Sequence, residues 1–143
     1  MRDEMRKLNS DRNAYPHKNL KVWQKAMTLV VKLYSVTKEF PDSERYGLIS
    51  QIRRCAVSIP SNIAEGHGRS TKKELIRFLD ISKGSIYELD TQIELSRQLG
   101  YLTFDNFEFI SAQIDETSRL LTGLIKLINN SLDNKNCNSK TQN

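Results

Sequence analysis

With 143 residues, 38% hydrophobic and 27% charged, the chain has the material for one domain with one modest core. It contains no run of about 18 apolar residues, so no membrane span is expected, and its first 18 residues lack the apolar centre of a secretory signal. The net charge of +5 and pI of 9.3 point weakly toward an anionic partner.

How the charge is distributed says more. Asn19 to Lys83 carries twelve basic and six acidic residues, whereas Gly84 to Leu132 carries three basic and seven acidic. Two readings stand side by side: a polar molecule with one face for an anion, or charge pairing between neighbouring helices or subunits. Over Asn19 to Leu132 the net charge is only +2, which is modest for a dedicated nucleic-acid binder. With no signal sequence, Cys55 and Cys137 read as thiols in a reducing cytoplasm. Cys55 falls on an apolar helical face and Cys137 in a polar tail, so no disulfide is expected between them.

In chain order, residues 1–18 are polar, mixed in charge and end near Tyr15-Pro16, and read as a flexible leader. Residues 19–132 hold four helical segments and no strand. The first runs from about Leu20 to Glu39 and carries two adjacent apolar stripes. One is Leu20, Trp23, Met27, Val30 and Tyr34; the other is Val22, Ala26, Leu29, Leu33, Val36 and Phe40. A face that wide suggests either a central helix or a second packing partner such as another subunit.

The second segment follows Phe40-Pro41, with Asp42 or Ser43 as its cap, and runs from about Ser43 to Glu65. Leu48, Ile52, Cys55, Ile59 and Ile63 form its stripe, joined by Ile49 and Ala56. Pro60 lies inside that pattern, so a kink rather than an end is expected there. Gly66-His67-Gly68 is read as the stop, with glycine in the left-handed cap conformation.

The third segment opens on Thr71-Lys72-Lys73-Glu74, a capping-box signature, and ends at Gly100. Its stripe is Leu75, Leu79, Ser82, Ile86, Leu89, Ile93 and Ser96. Small residues at Ser82, Gly84 and Ser85 suggest close approach of another backbone, because an interior glycine costs a helix about 1 kcal/mol. The fourth segment starts near Thr103, a plausible cap, and carries Phe107, Ile110, Ile114, Thr117, Leu121, Leu124 and Ile128. Residues 133–143 are Asn-rich without periodicity and read as a disordered tail. Short connections between long helices favour antiparallel neighbours. The expected fold is all-α: an up-down-up-down antiparallel four-helix bundle with its second helix kinked at Pro60.

The residues that could carry chemistry are few. His67 is the only histidine within the bundle; no zinc ligands converge on it in sequence, and it reads as a solvated helix end. Gly66 to Lys73 is no Walker sequence and follows no strand. The start of the third helix, with Arg69, Lys72 and Lys73 beside it, could nonetheless hold a phosphate oxygen; the alternative is a plain helix cap with solvated lysines. Arg53 flanks the apolar stripe and should pack its stem and pair a carboxylate; Arg54 lies opposite the stripe, where a phosphate contact and a structural role stand equally open. Ser58, Ser61 and Asn62 should satisfy carbonyls freed by Pro60, or meet a neighbouring chain. Trp23 and the phenylalanines read as core, with no base-stacking platform. No nucleophile, acid and base combine, so no enzyme, metal or cofactor is expected.

Several blocks also carry a family resemblance. They are Phe40-Pro41, Glu44, Tyr46-Gly47-Leu48, Gln51 to Arg54, Ser58-Ile59-Pro60, Asn62 to Gly66 and Arg69, then Phe78 to Ser85 and Glu88. Over roughly Leu20 to Leu132 the chain resembles the 23S rRNA intervening-sequence protein family, also labelled S23 ribosomal protein. Cys55 and Ser82 stand where that family's pattern usually has alanine. The resemblance implies a four-helix bundle assembled into a barrel-like homopentamer. It also implies a fold similar to the retroelement accessory variability determinant protein, which binds nucleic acid and a reverse transcriptase. The leading expectation is therefore a non-enzymatic, cytoplasmic oligomer that touches RNA or DNA phosphates. The basic candidates are Arg45, Arg54, Arg69, Lys72 and Lys73. The competing expectation is a structural or adaptor oligomer with a protein partner and no nucleic-acid role.

Overall fold

The structure, a computed structural model, describes residues 1–5 and 15–140. Half of the proposed leader, 6–14, and the last three residues of the proposed tail lie outside the described residues. Four long helices make up the fold: α1 (Lys21–Thr37), α2 (Leu48–His67), α3 (Lys72–Gln98) and α4 (Phe104–Lys140). Short 3-10 turns at Pro16–Asn19 and Asp42–Glu44 precede α1 and α2, and no strand occurs among the described residues.

Each helix packs on the next in sequence and α4 closes back on α1. Cross-helix pairs fix the directions. Arg53 on α2 meets Thr37 near the end of α1, and along the α1–α4 seam Lys25 meets Glu116 while Lys32, further along α1, lies over the ring of the earlier Phe109. Cys55 and Ile59 on α2 meet Ser85 and Ser82 on α3. Lys72 at the start of α3 meets Ser131 far along α4. In each pair of neighbours the residue numbers run in opposite senses, so adjacent helices are antiparallel.

The core is the set of stripes meeting along the bundle axis. Leu29 and Leu33 of α1, Ile52, Ile59 and Ile63 of α2, Leu79, Leu89 and Ile93 of α3, and Ile110 and Leu121 of α4 are fully buried. On α1 the stripe from Val22 to Phe40 is buried, whereas Met27 and Tyr34 of the other stripe remain about 40% exposed. Among the phenylalanines only Phe40 and Phe78 are buried. Phe104 is 75% and Phe109 47% exposed, because both sit early on α4, on positions turned away from Ile110 and Ile114.

The helix ends are set by side chains. α2 begins at Leu48, not at Asp42 or Ser43, because Pro41 starts a separate turn. The cap comes from Glu44, whose carboxylate accepts from the Leu48 N–H at 2.9 Å and from the Tyr101 hydroxyl at 3.3 Å. A carboxylate there satisfies an orphan donor and complements the positive end of the helix dipole. α2 then stays helical through the buried Pro60 to His67. Gly68 ends it with φ −82°, so no left-handed cap is used there. Gly66 is a contact, not a stop: it is buried where α2 meets Leu75 and Phe78 of α3.

Thr71 caps α3 by accepting from the Glu74 N–H at 3.2 Å, and Thr103 caps α4 by accepting from the Asn106 N–H at 3.2 Å. α3 closes on Gly100, whose φ of +78° only glycine takes readily. The Tyr101 N–H bonds the Ser96 carbonyl and the Gly100 N–H that of Arg97, which is the Schellman pattern.

Two boundaries differ from the sequence reading. Residues 15–19 are seated on the bundle, with the His17 ring 5.4 Å from Trp23. α4 continues to Lys140 through residues read as tail. Nothing from Asp133 to Lys140 is a proline or glycine, so no residue stops a helix that packing has already nucleated.

Candidate nucleic-acid interface

The five basic residues expected to face phosphate do not come together. Arg45 and Arg54 lie at the end of the bundle where α2 begins; Arg69, Lys72 and Lys73 lie where α2 ends and α3 begins. The 15 steps from Arg54 to Arg69 correspond to about 22 Å of helix.

Arg45 is exposed beside the Tyr46 ring, 5.7 Å from its centre. Arg54 is exposed and forms no ion pair among the described residues. It lines an open groove of about 520 Å³ between α2 and α3 with Tyr46, Cys55, Ser58, Ser85 and Glu88. The floor of that groove is a polar seam. Ser58 Oγ donates to the Cys55 carbonyl at 2.6 Å and pairs with Ser85 Oγ at 2.7 Å. Cys55 Sγ donates to the Ser85 carbonyl at 3.0 Å, and Ser82 Oγ to the Ile59 carbonyl at 2.9 Å. Asn62 Nδ2 donates to the Ser58 carbonyl at 2.8 Å. Ser58 thus ties α2 to α3 and Asn62 braces α2 itself, but neither side chain bonds the Ala56 carbonyl that Pro60 leaves without its N–H donor, which corrects the expected role of these residues.

Burial, with Glu88 nearby, pushes the Cys55 thiol up to about 12. It stays protonated at neutral pH and is a poor nucleophile. No group of three His, Cys, Asp or Glu side chains among the described residues is placed to hold a metal ion. His67 sits half-buried with Nδ1 3.2 Å from the Ile63 carbonyl.

Arg53 has the structural role expected but a different partner. Its guanidinium lies 4.6 Å from the centre of the Tyr34 ring, and its Nε donates to Thr37 Oγ1 at 3.0 Å. No carboxylate pairs with it among the described residues; the buried Thr37 hydroxyl, which itself donates to the Leu33 carbonyl at 2.7 Å, takes that place. Gly84 also departs from expectation. It faces open space with nothing within 4 Å of an added Cβ, so Ser82 and Ser85, not Gly84, mark the close approach of α2 and α3.

At the α2–α3 corner the three candidates differ. Arg69 is tied to Glu65 at 2.8 Å and lies 4.8 Å from the centre of the Phe78 ring, so its charge is largely answered. Lys72 donates to the hydroxyl of Ser131. Lys73 is exposed and has no carboxylate partner among the described residues.

The 23S rRNA-intervening sequence protein family matches residues 18–123. The chain belongs to this family. A crystal structure of a family member of unknown function, from the S23 ribosomal protein family of Bacteroides thetaiotaomicron VPI-5482 and resolved at 1.70 Å, superposes with a TM-score of 0.69. The two sequences are 25% identical, and the match covers 73% of this chain and 95% of that one. No curated protein matches the chain. The family match ends at residue 123, so the far part of α4 lies outside the matched region. Sequence reading assigned residues 15–18 and 133–140 to leader and tail, and so missed that both flank the α2–α3 corner. The signal available was the absence of proline and glycine after residue 123.

Proposed function

We propose that this protein works by assembly and binding, without catalysis: a homo-oligomer, most simply a pentamer, that holds nucleic acid through backbone phosphates. The observation that carries the assembly is the outer face of α1 and α2. Met27, Val31, Tyr34 and Val57 are 39–68% exposed there, flanked by half-buried Trp23 and Val30. Two shallow apolar hollows of about 530 and 360 Å³ open on this face. Such a continuous apolar surface on a small soluble domain marks a place for a partner, and a second copy of the chain is the simplest one. A cytoplasmic setting belongs to this reading, since it keeps Cys55 and Cys137 reduced.

The nucleic-acid part rests on the basic charge and on the family's description as a 23S rRNA-intervening sequence protein. In an oligomer, a modest basic patch repeats once per subunit and its contacts sum. Phosphate contacts give little sequence preference and a steep loss of affinity with salt.

Two measurements test this. Light scattering at micromolar concentration should give a mass several times 16.5 kDa; a monodisperse monomer would end the assembly. Titration of a generic RNA at two salt concentrations should show binding that weakens steeply as salt rises. An intact oligomer that binds no RNA at low salt would hand the lead to the adaptor reading.

A further inference from the structure

The antiparallel packing sorts charge by bundle end in a way that the linear sequence hides. Gly66 of α2 touches Leu75 and Phe78 of α3. His17 shares a hollow with Pro60, Ser61 and Ala64. Lys72 reaches Ser131. These contacts gather the start of α1, the α2–α3 corner and the far part of α4 at one end.

Over residues 15–21, 65–77 and 128–139, that end carries seven Lys and Arg against three Asp and Glu, a net of +4. Two of the three acids are already neutralised, Glu65 by Arg69 at 2.8 Å and Glu74 by Arg77 at 3.4 Å. The lysines have no carboxylate partners among the described residues. The opposite end, residues 38–54 and 88–108, carries five basic and eight acidic residues, a net of −3.

α4 sharpens the basic end. Nine of its residues lie past Ser131, an overhang of about 13 Å at 1.5 Å per residue. Lys135 is one turn beyond Ser131, on the face that meets Lys72. Asp133, about 200° around the helix from Ser131, points away from it.

We infer that this basic end, and not the Arg45–Arg54 end, is the nucleic-acid surface, with the α4 overhang as a rail along one strand. The inference rests on the nucleic-acid reading above and assigns its site. The strip from Lys21 through Lys73 to Lys135 crosses a bundle about 20 Å wide, given helices packed 8–10 Å apart. At 3.4 Å of duplex axis per phosphate of one strand, that width spans about six phosphates of each strand. The acidic end of a second copy is the poorer occupant. Its net charge is small, Arg45 and Arg97 interrupt it, and two of its carboxylates are engaged: Glu94 with Arg97, and Glu44 with the Leu48 N–H and Tyr101.

The test uses the full chain and a fluorescein-labelled 20-base-pair RNA duplex, with a DNA duplex of the same sequence beside it. The variant Lys21→Glu/Lys73→Glu/Lys135→Glu should bind at least tenfold more weakly at moderate salt. Its log affinity against log salt should be shallower by about two to three, near 0.9 for each lost phosphate contact. Arg45→Glu/Arg54→Glu should stay within twofold of wild type. Unchanged binding by the first variant, or equal loss by the second, overturns the inference while leaving nucleic-acid binding intact. Loss of mass in light scattering with RNA binding preserved would instead assign the basic end to contacts between copies, and also overturns it. If the wild-type chain binds neither duplex at low salt, the parent reading fails first. Circular dichroism checks the fold of each variant. Should the triple variant unfold, Lys135→Glu alone, beyond Ser131, decides the matter through a smaller loss of affinity and slope.

Discussion

Two glycine-to-alanine changes should move stability in opposite directions. At Gly66 an added Cβ would stand 2.9 Å from Phe78 Cβ, 3.1 Å from Leu75 Cδ1 and 3.2 Å from the Leu75 carbonyl oxygen. Phe78 Cβ is fixed to the α3 backbone, so no rotamer change relieves the contact. Carbon atoms rest about 3.5–4.0 Å apart; α2 and α3 must therefore separate locally by roughly 0.6–1 Å. Overpacking of this kind costs about 1–3 kcal/mol. Alanine returns up to about 1 kcal/mol of helix propensity, which leaves Gly66→Ala less stable by about 1–2 kcal/mol. For a chain of this size that lowers Tm by roughly 3–8 °C. At Gly84, in an exposed helix interior, the added methyl meets nothing within 4 Å, so the propensity gain of about 0.5–1 kcal/mol stands alone. Thermal and guanidinium unfolding followed by circular dichroism, at one fixed protein concentration so that the proposed assembly cannot shift Tm between samples, measures both. If Gly66→Ala matches or exceeds wild type, the close approach of α2 and α3 is wrong. If Gly84→Ala is destabilising, another chain occupies the space above Gly84.

Three further outcomes are expected. Glu44→Ala should lose about 1 kcal/mol in chemical unfolding, since it leaves the Leu48 N–H without its cap; Glu44→Gln should recover part of this by keeping an oxygen acceptor, and equal stability of all three would remove Glu44 from its capping role. Arg53→Lys should cost about 0.5–1 kcal/mol, because lysine cannot stack flat on Tyr34 while donating to Thr37; a neutral result would reduce that contact to surface decoration. Native protein treated with a thiol reagent at pH 8 should show Cys137 reacting fast and Cys55 only after unfolding, as burial holds the Cys55 proton. The sign for stability follows. A thiol raised from 9.0 to about 12 leaves stability unaffected below pH 9 and erodes it as pH rises from there, because the unfolded chain loses the proton first. Cys55→Ala should flatten that alkaline decline.

Periodicity carried the bundle. Leu79, Ser82, Ile86, Leu89, Ile93 and Ser96 are all buried, and a run spaced three and four apart can only be one helical face. The caps at Thr71 and Thr103 and the stop at Gly100 were legible for a related reason: each acts on residues within one turn of itself. The start of α2 was not, since its cap sits on a separate turn and shares Glu44 with Tyr101, 57 residues away. Gly66 was misread because a glycine near a helix end looks like a stop until the neighbouring helix is in place. The candidate site was the least legible. Lys21, Lys73 and Lys135 are separated by more than 110 residues end to end, and only antiparallel packing places them at one end. Arg69 looked available because nothing local to it announces Phe78 as a stacking partner.

The α2–α3 seam also has a kinetic meaning. Its bonds join Cys55 to Ser85, Ser58 to Ser85 and Ser82 to Ile59, all between consecutive helices joined by a four-residue turn. The α1–α4 face, by contrast, pairs Lys25 with Glu116 across most of the chain. Loop-closure entropy makes the nearby pairing the cheaper one to form first. The hairpin of α2 and α3 is thus expected to nucleate folding, with α1 and α4 docking onto it later. In hydrogen exchange the amides around Ile59, Ile63, Leu79 and Ile86 should open last, and those of α4 past Ser131 first, so the end of α4 answers to its surroundings more readily than the hairpin does.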